Sequence, residues 1–208
     1  MAGSMSQADL VADLKASLFD SASVLADEGD ATLKRLLAQA LPDMQLKRPR
    51  TKLGTVTLTA GVATYAIAES DFAALKFDLW RDTEKMGKPW QPTWPGPLPG
   101  ISAGWNGTAW ELRFDPAPTQ LQIDVLGATC RFYFFAAHVI GAAAEDTTIN
   151  PQDRGLLLLR AQAEAMLAIA VRNVAKPVRL QDGLSGMPRN STPAALHETL
   201  LRQFREWR

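Results

Sequence analysis

Residues 150–177 constrain this chain more than any other stretch. Asn150 is a good helix cap, Pro151 suits the first helical position, and Asp153 falls in the first turn, where a carboxylate favours the helix dipole. From there to Val174 the segment is rich in leucine and alanine, with Arg154, Arg160, Gln162, Glu164 and Arg172 as its clear polar markers. A helix apolar around most of its girth must be buried on several sides, so it is either the axle of a domain or a helix held between subunits. Lys176-Pro177 stops it, and Leu180 to Asn190, rich in Gly, Ser and Pro, reads as a loop. Thr192-Pro193 then starts a last helix whose Leu196, Leu200, Phe204 and Trp207 form one apolar stripe. Glu198, Arg202, Arg205 and Arg208 lie outside that stripe.

The front of the chain is also helical. Leu10, Leu14, Leu18, Phe19, Ala22 and Leu25 recur at helical spacing and predict a helix over about residues 7–26. Asp27-Glu28-Gly29-Asp30 breaks it, and Asp30 can cap a second helix carrying Leu33, Leu36, Leu37 and Leu41 before Pro42. Neither helix is long enough to stand alone, so the hairpin of residues 6–46 has to pack on something else. Residues 1–5, Met-Ala-Gly-Ser before a second methionine, read as a cloning remnant.

Between the helical ends lies a β-rich insertion over residues 47–140. Lys47-Arg48-Pro49-Arg50-Thr51-Lys52 is a basic, proline-broken linker, either a solvated connector or a site for a phosphate or an acidic partner. Thr55 to Thr59, a turn at Ala60-Gly61 and Val62 to Ile67 read as a β-hairpin. Phe72 to Trp80 reads as a third strand, with Leu75, Phe77 and Leu79 on one face and Lys76, Asp78 and Trp80 on the other. Residues 87–100, with five prolines, form an extended loop, and Asn106-Gly107 predicts a two-residue turn between two short strands. Residues 119–126 fit a strand through Leu121, Ile123 and Val125, or one or two helical turns between Thr119 and Gly127. Cys130 to Val139 is apolar on both faces and reads as a central strand buried on two sides. The expected fold is α+β: a helical bundle, made of the N-terminal hairpin and the two helices of residues 147–208, with a central antiparallel β-rich insertion, one compact domain in all.

Composition narrows function mainly by exclusion. Lys plus Arg equals Asp plus Glu at 22 each, so nothing global marks a nucleic-acid binder. Residues 1–46 carry seven acids against three bases, and residues 172–208 seven bases against three acids. These opposite ends either attract one another head to tail between subunits or are two solvated faces. Cys130 is the single cysteine and reads as a buried thiol, and no apolar run approaches the ~20 residues a membrane helix needs. His138 and His197 have no metal-binding spacing and read as structural. Ser185, in Gly183-Leu184-Ser185-Gly186, lacks a preceding strand and a base, while Asp78, Asp82 and Glu84 read as surface carboxylates. Neither an enzyme nor a cofactor or metal site is expected. Four tryptophans, Trp90, Trp94, Trp105 and Trp110, fall within 21 residues. Trp90 and Trp94 could lid the β core, meet a partner protein, or present flat faces to a sugar.

The order of elements and several phrases along them resemble the head-tail adaptor, or neck connector, proteins of tailed bacteriophages and prophages. The phrases are Thr55-Val56-Thr57-Leu58 with Gly61 and Tyr65, Asp115-Pro116-Ala117-Pro118, Arg131-Phe132-Tyr133-Phe134-Phe135, and the helix opened by Asn150-Pro151-Gln152-Asp153-Arg154-Gly155. The resemblance covers most of residues 6–208. It implies a virion protein, made in the bacterial host cytoplasm, that forms a ring of about twelve copies in the neck between portal and tail. Its partners would be copies of itself, the portal and a downstream neck or tail protein, with non-specific proximity to DNA in the lumen and no membrane. The terminal helix, with Leu196, Leu200, Phe204, Arg205, Trp207 and Arg208, would dock on the portal or a neighbouring subunit, with Trp90 and Trp94 as a second contact. Another neck or tail-completion component, or a carbohydrate-binding β module using Trp90 and Trp94, are the competing readings.

Overall fold

The computed structural model of the chain describes residues 5–25, 30–80, 87–173 and 192–207. It is an α+β protein with five α-helices and two three-stranded antiparallel sheets among those residues. Where the sequence reads as one compact domain, the chain divides into two compact units, residues 1–48 with 138–208, and residues 49–137. Each has its own hydrophobic core.

The first unit is helical. Helix α1 (Gln7–Leu18) is capped by Ser6, whose Oγ accepts from the Asp9 amide at 3.2 Å. It ends at Leu18, well short of residue 26, and a 3₁₀ turn (Phe19–Leu25) follows. Short polar side chains explain the early stop: Ser17 and Ser23 donate to the carbonyls of Leu14 and Asp20 and so compete with the helical ladder. Helix α2 (Ala31–Lys47) runs straight through Pro42, where the sequence predicts an end. Pro42 sits on the exposed side, while Ala40 and Met44 around it are fully buried, and that packing outweighs the roughly 3 kcal/mol an internal proline costs. Asp30 does not cap α2: its φ is +58° and its carboxylate meets Lys15 Nζ at 2.6 Å instead.

Helix α4 (Arg154–Asn173) is the axle, packing against α1, α2 and the last helix, α5 (Pro193–Glu206). A 3₁₀ turn (Pro151–Asp153) precedes it, and Asn150 contributes its carbonyl, not its side chain, to the Asp153 amide. Asp153 is buried because it accepts from Arg48 Nε at 3.2 Å. Arg154 and Arg160 donate at 2.6 Å to Asp13 and Asp43, and Arg160 also meets Glu164. Three of the acids that make the front of the chain negative, Asp13, Asp30 and Asp43, thus find their cations inside the same chain. His138, also buried, lies 2.7 Å from the Arg48 carbonyl through Nε2.

The second unit contains both sheets. Strands β1 (Arg50–Thr57), β6 (Thr129–Ala136) and β3 (Phe72–Asp78) form one, in the order β1-β6-β3. Strands β2 (Thr64–Ala66), β5 (Trp110–Asp115) and β4 (Gly100–Trp105) form the other, in the order β2-β5-β4. The hairpin predicted at Ala60-Gly61 is therefore a corner: β1 pairs with β6 and β2 with β5. Gly61, at φ +78°, donates to the Pro118 carbonyl, and the Tyr65 hydroxyl bonds both the amide and the carbonyl of Thr59, tying the corner together. The basic linker is not a free connector either. Arg50 and Lys52 belong to β1, and both pair with Asp71.

The turn between β4 and β5 spans residues 106–109, longer than two residues, because Asn106 Oδ1 accepts from the amides of both Thr108 and Ala109. Residues 120–126 are a helix, α3 (Gln120–Leu126), closed by a capping box between Thr119 and Gln122. Gln122 reaches further, donating to the Pro97 carbonyl and so anchoring the proline-rich loop.

Cys130 is fully buried on the core side of β6, and burial, with the nearby Asp78 carboxylate adding to it, pushes its thiol up to about 12. An unfolded thiol ionises near 8.5, so above that pH the unfolded chain sheds a proton the folded chain keeps, and stability falls. The Cys130 contribution should drop by about 1.4 kcal/mol per pH unit from roughly pH 9 until the folded thiol itself titrates. Urea denaturation of wild type and Cys130→Ala between pH 7 and 11 checks this, since only the wild type carries that slope.

Candidate assembly surfaces

Phe204 is only 5% exposed and belongs to the core of its own unit. Lys47 Nζ stands 5.2 Å from its ring centre and caps α5, donating to the carbonyls of Arg205 and Trp207 at 2.7 and 2.9 Å. Phe204 is thus spent inside the chain, which corrects its expected place as an outward anchor. Stripe periodicity locates an apolar face without saying what covers it. Trp207 and Arg205 are exposed at the helix end, and Arg208 lies outside the described residues. His197, read as structural, is half-buried on α5 with Nδ1 2.8 Å from the Ala163 carbonyl. Leu196 and Leu200 line an open groove of about 460 Å³ with Leu18, Met166 and Phe19, the last standing at its lip.

The tryptophan cluster also separates. Trp90 is 77% exposed and carries Lys88 Nζ 5.5 Å from its ring centre, while Trp94 is half-buried. The lids of the β core are Trp80 and Trp110 instead, with Trp80 edge-on to Phe114 and Trp110 against Phe72. The expected faces of the third strand hold only in part. Phe72 and Leu75 both face the core, and the register shift between Leu75 and Phe77 then leaves Phe77 and Leu79 outside while Trp80 turns inward. Asp78 sits on the inward side near Cys130. Asp82, Glu84 and Ser185 lie outside the described residues.

The register shift after Leu75 builds a surface that the sequence reading missed. On β6 the inward residues Cys130, Phe132, Phe134 and Ala136 are fully buried, but the alternate set is not covered, contrary to a strand buried on two sides. Leu53 of β1, Tyr133 of β6 and Phe77 of β3 lie in one row across the outer face of the sheet, with Phe77 and Tyr133 ring centres 5.0 Å apart. Leu53, Phe77 and Leu79 are 47%, 46% and 43% exposed. Among the described residues, the charged side chains on this face are Lys76, 5.5 Å from the Phe135 ring centre, and exposed Arg131. Beyond Leu79 and Arg131 the face opens into a pocket of about 370 Å³ floored by Trp80, Leu126 and Gly127. The available signal was the two-sided apolar pattern of residues 130–139, which gives no hint of which side a neighbour covers.

On the helical unit, Phe19 is the counterpart feature. It is 82% exposed, at φ +49° and ψ −133°, a backbone conformation that bulky L residues rarely adopt. Asp20 beside it and Val24 are exposed as well. Among the described residues no helix is long and apolar enough to cross a membrane, and no three His, Cys, Asp or Glu side chains group as metal ligands would.

No protein-family model matches the chain, and no curated protein matches it. Among solved structures it is similar to a chain in the neck of a native GTA particle computed with C12 symmetry, at 16% identity and a TM-score of 0.28, over 91% of this chain and 86% of that one. A chain in the neck of an empty GTA particle, computed with C6 symmetry, is similar at 16% identity and a TM-score of 0.26, over 91% and 87% of the two chains.

Proposed function

We propose that this protein is a structural neck component of a tailed-phage-like particle, a head-tail adaptor that assembles as a ring between portal and tail and carries out no bond-making chemistry. The kind of assembly comes from the resemblance in element order and phrasing. The need for partners comes from one observation, the uncovered aromatic outer face of the β1-β6-β3 sheet. Leu53, Phe77 and Leu79 form one apolar patch with Tyr133, rimmed by cations, which is how protein interfaces are composed. Rings need two different complementary faces on each subunit, and the Phe19 corner of the helical unit offers a second.

A sugar-binding role is less well supported. The Trp90 ring has Lys88 beside it and Trp94 is half-buried, so the pair does not present two open aromatic platforms. Mixing the protein with its cognate portal is expected to give rings seated on portal particles in negative-stain images. A chain that stays off the portal at saturating concentration, or that converts a substrate in a turnover assay, overturns the reading.

A further inference from the structure

We infer that the Phe19 corner of one copy inserts into the pocket beside Leu79 and Arg131 of a second copy, with Asp20 paired to Arg131 across the contact. The choice of a second copy as occupant rests on the ring reading above. The fit of the two surfaces does not.

Three observations point to this pairing. Phe19 is 82% exposed on a residue whose φ of +49° an L side chain avoids, so the fold accepts backbone strain to hold a large apolar ring in water. A pocket of about 370 Å³, ample for one aromatic ring, opens at the end of the exposed aromatic row, between Leu79, Leu126 and Arg131. Finally, the charges are complementary. Asp20 adjoins Phe19, whereas the charged groups on the outer face of the receiving sheet, among the described residues, are Lys76 and Arg131. Because knob and pocket are different surfaces, the contact is heterologous: a copy whose knob is seated still has its own pocket free, and repetition closes a ring or extends a filament.

The contact makes a prediction that a self-complementary dimer does not. Sedimentation of the wild-type chain, alone and with its portal, should show concentration-dependent self-association. Phe19→Ser, and separately Leu79→Ser with Arg131→Glu, should each weaken it by about tenfold or more with unchanged circular dichroism. Mixing these two broken chains should restore a heterodimer that grows no further, since one retains the pocket and the other the knob. Failure of the mixture to associate, or a photo-crosslinker at position 19 that captures only another protein, overturns the inference. So does a wild-type chain that is monomeric under both conditions. Portal-seated rings that survive Phe19→Ser overturn it while leaving the neck reading intact. Phe19-dependent self-association of a chain that ignores the portal sustains the contact and removes the neck reading.

Discussion

Trp80→Ala is expected to destabilise the protein by about 3–5 kcal/mol, the largest loss from any single side chain in the β unit. The ring is buried among Phe114, Leu126 and their neighbours, and Nε1 donates to the Gly127 carbonyl at 2.9 Å. Alanine would leave a cavity next to an existing pocket, and it would also strip that carbonyl of its partner. Trp80→Phe should recover most of the packing and none of the hydrogen bond, and so fall between the two. Urea unfolding followed by near-ultraviolet circular dichroism checks the order. A loss below about 1 kcal/mol for the alanine variant would mean that Trp80 lies on the open face, where unbroken alternation from Leu75 places it.

Gly54→Val is expected to be nearly as damaging, for the opposite reason. Gly54 stands opposite Phe132 in the β1-β6 register, and a Cβ built there would come within 2.5 Å of the Phe132 ring. The ring has no room to retreat, since it is fully buried with Phe134 at 5.9 Å and Phe72 at 6.5 Å between ring centres. A mid-strand glycine replaced by a β-branched residue would otherwise gain stability, so the sign of the effect is diagnostic. A loss of about 1–3 kcal/mol or more is expected from overpacking. Pairing the substitution with Phe132→Leu should return part of that loss as a coupling energy. A neutral or stabilising Gly54→Val would show that the ring is not held against the glycine.

The parts of the fold legible in the sequence are those decided within a few residues. Thr192 starts the last helix as its sequence predicts, its side chain reaching the amide three residues on, whereas Asp30 and Asn150, read as caps, do not cap through their side chains. That residues 154–173 form a helix buried on several sides could be read from composition, since a segment so apolar has no stable place in water, but composition left open whether its own domain or a neighbouring subunit covers it. The strand at residues 129–136 followed from its continuous apolar and aromatic run, which did not show that only one face is covered. The surfaces were less legible. The stripe of α5 correctly grouped Leu196, Leu200 and Phe204 on one face, but whether such a face meets the chain's own core or another molecule depends on what else folds nearby. For Phe204 the answer is the core. Phe19, counted as one more apolar position of a longer helix, is outside because that helix stops one residue earlier.

By itself, the sequence determined most of the kinds of element and their order, residues 119–126 excepted, through capping, periodicity and turn chemistry, each worth around 1 kcal/mol and acting over one or two turns. Only the tertiary structure decided that β1 leaves its neighbour in sequence for β6, that α2 continues through Pro42, and that a register shift after Leu75 in β3 puts Phe77 outside and Trp80 inside. In each case a local preference of a few kcal/mol met the burial of several large side chains, each worth roughly 1.5–3 kcal/mol, and the burial prevailed. That balance is set by residues far apart in the chain, which is why no window of the sequence contains it.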